Sequence, residues 1–277
     1  MKPGTASVYN SKGRTIFFTL LLLGSYVASY LIVNFPFATP PLMFSIFIVV
    51  AALPSLFFFY KWVGRNAALL ILPLFIGLTY SIEGFGIATG FPYGHFYYTE
   101  LLGFKLFGLV PWPVSFAFIP LLIGCYVIAR QFVQTRWKLI LLSALLLVLF
   151  DLELDPALVL LNIWVWLTPG IYYGVPITNY VGWFFTGIIT SSLLCLLLPR
   201  HQGVVSPAPP MVSVSLLFTL AFWSGFTLWS MLWVPFSISI FLLIILFPVV
   251  GLDHQVINQL RSRLQPSQKK PVPLLDA

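Results

Sequence analysis

Eight apolar runs, each long enough to cross a bilayer, follow one another along this chain of 277 residues. A hydrocarbon core about 30 Å thick calls for about 20 apolar residues per helix. The runs occupy 15–34, 42–60, 67–83, 111–129, 139–155, 178–198, 211–233 and 235–251, the last two divided by a short turn at Pro235. In lipid a segment must satisfy its own backbone hydrogen bonds, so such runs fold as helices. The expected fold is all-α, a polytopic membrane helix bundle of about eight transmembrane helices forming one integral membrane domain over 1–277. Composition agrees. Only 8% of the residues are charged and 60% are hydrophobic, where a soluble domain carries about 25% charged residues. So few charges cannot cover a globular surface, which excludes a soluble enzyme, a disordered chain and a nucleic-acid partner. The first run follows Lys2, Lys12 and Arg14 like a signal peptide, but it is long and no Ala-x-Ala site follows. It reads as an uncleaved anchor.

The basic residues set an orientation. With the N-terminus cytoplasmic, eight crossings place Lys2, Lys12, Arg14, Lys61, Arg65, Arg130, Arg136, Lys138, Arg200, Arg261, Arg263, Lys269 and Lys270 on the inner side. Thirteen of the fourteen basic residues obey the positive-inside rule, and Lys105 alone does not. Both termini are therefore expected in the cytoplasm and the protein in a cell inner membrane. The net charge of +7 then needs no nucleic acid to explain it. The segment 261–277, rich in proline and polar residues, reads as a mobile tail.

The acids fall elsewhere. Glu83, Glu100, Asp151, Glu153 and Asp155 lie at or just beyond the outer ends of the third and fifth runs. Asp151 and Asp155 are four apart and share a helix face, whereas Glu153 points about 160° away. Pro156 is expected to end the helix at Asp155. Each acid at mid-membrane costs roughly 2.5–3.5 kcal/mol, and the ten Leu, Ile, Val and Phe residues from 139 to 150 return only about 3–6 kcal/mol. The acids must therefore sit near the outer end, be protonated or be paired. Intramembrane acids usually mark function.

Two long connections, 84–110 and 156–177, join runs on that side, and both are aromatic and apolar. Such loops are expected to fold back as re-entrant or interfacial segments against the bundle. The first contains the turn Thr89-Gly90-Phe91-Pro92-Tyr93-Gly94, then His95, Tyr97, Tyr98, Glu100 and Lys105; Lys105 is a candidate counter-ion for one of the acids. The second contains Trp164, Trp166, Tyr172 and Tyr173, with Asn179 and Trp183 following. These rings suit either an interfacial belt or a pocket that stabilises a cation over its π faces. No P-loop, GxSxG element, dinucleotide fingerprint or Cys/His metal set is present. Cys125 and Cys195 read as buried apolar side chains. Carboxylic acids in an aromatic cavity without an evident cofactor point to proton transfer. Burial favours a protonated carboxyl, and two neighbouring carboxyls can share one proton.

At these residues the chain resembles the CruF-type carotenoid 1',2'-hydratases. The resemblance is carried by Glu83-x-x-Gly86-x-x-Thr89-Gly-Phe-Pro-Tyr-Gly94-His95-x-Tyr97-Tyr98 and Leu102-Gly103-x-Lys105-x-x-Gly108. Later in the chain come Asp151-x-x-Leu154-Asp155-Pro156-Ala157, Trp164-x-Trp166, Gly170-x-Tyr172-Tyr173-Gly174-x-Pro176 and Asn179-x-x-Gly182-Trp183. It covers about 81–187. Phe85 stands where a leucine-like residue is expected, and Glu153 where an apolar one is. The resemblance implies addition of water to the terminal 1',2' double bond of an acyclic carotenoid such as lycopene or γ-carotene, giving a tertiary 1'-hydroxyl. No metal or redox cofactor is implied. The partners implied are the carotenoid, water, membrane lipids and other carotenoid-pathway enzymes. Asp151, Asp155 and Glu83 are the catalytic candidates, one aspartate donating the proton and another carboxylate holding water. Tyr93, His95, Tyr97, Lys105, Trp164, Trp166, Tyr172, Tyr173, Asn179 and Trp183 are the candidates for binding or orienting substrate.

Three other activities use parts of the same pattern. Asp151-x-Glu-x-Asp155 loosely resembles a prenyltransferase diphosphate motif, which would need Mg²⁺ and basic groups. A carotenoid cyclase would protonate the same alkene and trap the cation internally. A proton-coupled lipid transporter or binding scaffold would also bury acids among broken helices.

Overall fold

The computed structural model describes residues 5–35, 41–201, 204–205 and 207–252. The expected tail at 261–277, with the basic residues there and at Lys2, lies outside the described residues.

Among the described residues eight α-helices make up the bundle: α1 (Thr5–Asn34), α2 (Pro41–Val63), α3 (Arg65–Thr89), α4 (Val114–Phe132), α5 (Arg136–Leu160), α6 (Ile177–Leu197), α7 (Val214–Trp229) and α8 (Trp233–Gly251). Seven of them are long and apolar enough to cross a membrane. The eighth, α5, carries the carboxyl-rich turn that lowers its hydropathy, yet it packs among α4, α6, α7 and α8. The outward surface is apolar: Leu20, Leu23, Leu42, Phe47, Leu69, Leu70 and Ile244 are all exposed. That inversion of the soluble pattern is what a lipid solvent demands.

Long-range contacts tie the helices together, with α1 running in the same sense as α7 and in the opposite sense to α8. At one end Arg14 of α1 donates to the Val250 carbonyl of α8 (2.6 Å). At the other, Trp229 of α7 donates through Nε1 to the Tyr26 carbonyl of α1 (3.2 Å). The basic residues Arg14, Lys61, Arg65, Arg130, Arg136 and Lys138 thus cluster at helix ends opposite the acids.

The helix ends differ from expectation in three places. First, α3 continues to Thr89, so Glu83 lies inside the helix rather than closing it. Second, α5 passes through Pro156 and ends at Leu160, so Asp155 is helical. A proline has no N–H, which frees the carbonyl four residues earlier. That carbonyl, of Leu152, accepts a hydrogen bond from the Tyr172 hydroxyl (2.9 Å), and the helix runs on unbroken. Third, the turn between α7 and α8 lies at Ser230–Leu232, where Met231 adopts φ 58°. Pro235 falls in the first turn of α8, where its missing donor costs nothing.

The two long loops fold back against the bundle and pair with each other. Strand β1 (Phe96–Tyr98) runs antiparallel to β4 (Trp164–Trp166), with Phe96 opposite Trp166 and Tyr98 opposite Trp164. Between them in the chain, β2 (Lys105–Leu106) pairs with β3 (Val110–Pro111). Ser45 of α2 donates to the Leu102 carbonyl (2.9 Å), and Tyr80 of α3 donates to that of Trp112. The loops' backbone groups are thus met by protein.

Candidate active site

The site forms where α3, α5 and α6 meet beneath the β1–β4 ribbon. Close packing of α5 against α6 is what brings their polar residues together. A Cβ on Gly187 of α6 would lie 2.7 Å from the Ala144 Cα of α5, so only glycine permits this approach.

Asn179, in the first turn of α6, points its Nδ2 at both aspartates of α5. It donates to Asp151 Oδ2 at 3.0 Å and to Asp155 Oδ2 at 2.5 Å. One Nδ2 donor thus bridges the two aspartate carboxyls. Glu83 on α3 accepts from the Tyr98 hydroxyl at 2.9 Å. Burial, then the adjacent Glu83 charge, pushes the Tyr98 phenol well above its usual range, so it remains a donor. Asp151, Asp155, Glu83, Asn179 and Tyr98 are all at most 4% exposed. The carboxyls are therefore inside the bundle, a turn or more from the helix ends, rather than at its outer rim.

Aromatic rings roof the cluster. Along the ribbon, Phe96, Tyr98, Trp164 and Trp166 face inward and Tyr97 faces out, as strand alternation requires. Tyr98 meets Trp164 edge to face with centroids 5.7 Å apart. Tyr93 is wedged between α3 and α6. A Cβ on Gly86 would come within 2.7 Å of its ring, and one on Gly182 within 2.5 Å. Its hydroxyl shares a hydrogen bond with Thr186 (2.6 Å), and its carbonyl accepts from Trp166 Nε1 (3.2 Å). Those two glycines thus form a slot for one ring.

Under the roof a small cleft, about 10 Å³ in volume, lies between α3, α4 and α6. Glu83 and Trp183 stand at its outer end, and Thr79, Thr186 and Thr190 lead toward the middle of the helices. Phe118 packs edge-on to Trp183 at 4.7 Å. Asn179 and Trp183 are one turn apart on α6, so the pocket abuts the carboxyl cluster.

Of the sequence candidates, Asp151, Asp155, Glu83, Asn179, Tyr93, Trp164, Trp166 and Trp183 come together here. Tyr172 borders the cluster through its bond to the Leu152 carbonyl. His95, Tyr97 and Tyr173 are exposed. His95 covers Gly90, and its carbonyl accepts from the Leu167 N–H (2.9 Å). Lys105 pairs with Glu100 at 2.7 Å, and the glutamate side chain is 84% exposed. Lys105, the candidate counter-ion for one of the acids, is thus paired with the exposed Glu100.

Sequence reasoning missed Tyr98 and Tyr180 as site residues. The alternation in Phe96-Tyr97-Tyr98 was a usable signal for the first; nothing local marked the second. Glu153 is 1% exposed on another face of α5, and its Oε1 has no hydrogen-bond partner among the described residues. No group of three or more His, Cys, Asp or Glu able to hold a metal occurs among the described residues.

Fold and site together define a multi-pass helical membrane protein with a carboxyl cluster sealed under an aromatic roof. The chain belongs to the carotenoid biosynthesis protein family, whose model matches residues 43–246. That match takes in most of α2, all of α3–α7 and every residue of the cluster. The chain is also similar to a bisanhydrobacterioruberin hydratase of Haloarcula japonica, with 34% identity over 196 residues. The aligned stretch spans 69% of this chain and 66% of the relative, just under two thirds of the relative's length. No solved structure matches.

Proposed function

We propose that this protein hydrates an acyclic carotenoid, adding water across the terminal 1',2' double bond to give a tertiary 1'-hydroxyl. The observation that carries the reading is the Asp151–Asn179–Asp155 bridge beside Glu83, buried next to a small cleft to which Phe118 and Trp183 contribute rings. Membership of the family supports the pathway, and the name of the Haloarcula relative supports the reaction class.

Two carboxyls that share one donor repel if both are ionised, so the aspartate pair retains a proton. Transfer of that proton to C2' leaves the positive charge on the more substituted C1'. The faces of Trp183, Phe118 and the roof rings stabilise it. Water attacks C1' and returns a proton to a carboxylate, which restores the acid. The net change is one water added, with no electrons exchanged. Glu83 is the carboxyl at the pocket wall and stands nearest the end group, while Asn179 holds the aspartate pair in register. The substrate reaches the pocket from the bilayer, in which a polyene is soluble. In this reading both termini are cytoplasmic, the site opens toward the outer half of a cell inner membrane, and neither metal nor redox cofactor takes part.

The test is expression in lycopene-accumulating cells supplied with water labelled in oxygen. A tertiary alcohol carrying the heavy oxygen is expected. An unlabelled product of unchanged mass would indicate cyclisation and overturn the reading. Asp151→Asn, Asp155→Asn and Glu83→Gln are each expected to lower alcohol formation by about 10²-fold, the scale of one general acid or base. Wild-type rates in all three would remove the carboxyl assignment.

A further inference from the structure

The Tyr180 hydroxyl is buried, and it has no hydrogen-bond partner among the described residues. Tyr180 as a whole is 8% exposed. A buried phenol normally finds a partner, so this one marks a place where a small polar molecule belongs.

The surroundings say which molecule. Tyr180 follows Asn179, whose amide fixes the start of α6 on Asp151 and Asp155. On its other flank the Tyr180 ring meets Tyr172 edge to face at 5.8 Å. Tyr172 is itself fixed by its hydroxyl on the Leu152 carbonyl, between the two aspartates along α5. The phenol is therefore fenced between the carboxyl turn of α5, which holds Asp151 and Asp155, and the loop before α6. The pocket with Glu83 lies elsewhere, between α3, α4 and α6. Polyene and phenol thus approach the carboxyls from different sides.

We propose that the Tyr180 hydroxyl, together with the Asp151–Asp155 pair, binds the water that traps the cation. This inference rests on the hydration reading above. With a proton moved from the acid to C2', the cation has two fates. The oxygen of the held water bonds to C1' while one of its O–H bonds breaks and the proton passes to the carboxylate. Alternatively, a C–H bond next to C1' breaks, the carboxylate takes that proton, and an alkene is regenerated or shifted in position. Holding the water at Tyr180 favours the first fate without altering protonation.

The experiment compares wild type and Tyr180→Phe, as full chains purified in detergent, on unlabelled lycopene in deuterium oxide. It reads the ratio of tertiary alcohol to deuterium-bearing alkene, which does not depend on how much enzyme is present. Removal of one hydrogen bond to water is expected to lower that ratio by about tenfold. The phenol has no partner to lose among the described residues, so Tyr180→Phe should fold; Tyr180→Met is read in the same way should it not accumulate. An unchanged ratio, at any total turnover, overturns the proposal. So does loss of both products from folded protein, because that assigns Tyr180 to protonation or packing. Absence of alcohol from the wild type would instead strike the hydration reading itself.

Discussion

Asn179 divides one side-chain nitrogen between two carboxyl oxygens, which makes it the residue on which the geometry of the aspartate pair turns. Asn179→Leu should fill the space and leave both carboxyls without that donor. The expected cost is about 1–3 kcal/mol of unfolding free energy for the unmet bonds, with hydration falling by more than about tenfold. Thermal unfolding in detergent and product analysis read the two effects separately. Glu153 gives the opposite expectation. It lies on another face of α5, fully buried, with an oxygen unmet among the described residues. Replacing such a group by an apolar one of similar size is often neutral or stabilising. Glu153→Leu is expected to retain hydration and to raise the unfolding midpoint by about 2–4 °C. A loss of activity as large as that of Asp151→Asn would place Glu153 in the reaction. Heptad-like spacing separated the Asp face from the Glu face in the sequence. The burial of both faces was not legible there, because it depends on α5 having neighbours all round.

At the scale of elements, the continuation of α5 through Pro156 depends on a hydroxyl supplied from a loop sixteen residues further on. Tyr172→Phe should cost about 1–2 kcal/mol by leaving the Leu152 carbonyl unmet. In a Pro156→Ala background the restored N–H can serve that carbonyl, and the cost of Tyr172→Phe should largely vanish. Additive effects in this double-mutant cycle would refute the pairing. The Tyr93 wedge gives a second element-scale test. Gly182→Ala places a methyl 2.5 Å from the Tyr93 ring, so the ring must move and α3 and α6 must part. A loss of about 1–3 kcal/mol is expected, with hydration reduced because the pocket lies between the same helices. The glycines were visible in the sequence. Their purpose was not, since it depends on the turn after α3 folding the Tyr93 ring back over Gly86 and against Gly182 of α6.

For the whole molecule, the orientation proposed from the basic residues can be tested directly. Both native cysteines are buried, which leaves a quiet background for labelling. Tyr97→Cys, exposed on the ribbon, should react with a membrane-impermeant maleimide in intact cells. Trp137→Cys, exposed at the start of α5, should react only after permeabilisation. The reverse pattern would invert the topology. The number of helices, their approximate limits and the side on which acids gather could be read from the chain alone. Hydropathy is summed residue by residue, and a bilayer imposes one length on every crossing. What only tertiary structure decided is which polar groups meet: Asn179 with both aspartates, Tyr98 with Glu83, Lys105 with Glu100 at the surface, and Tyr180 with no partner among the described residues. Those meetings depend on how closely helices pack and how loops fold over them, and that is set by the shapes of side chains far apart in the chain.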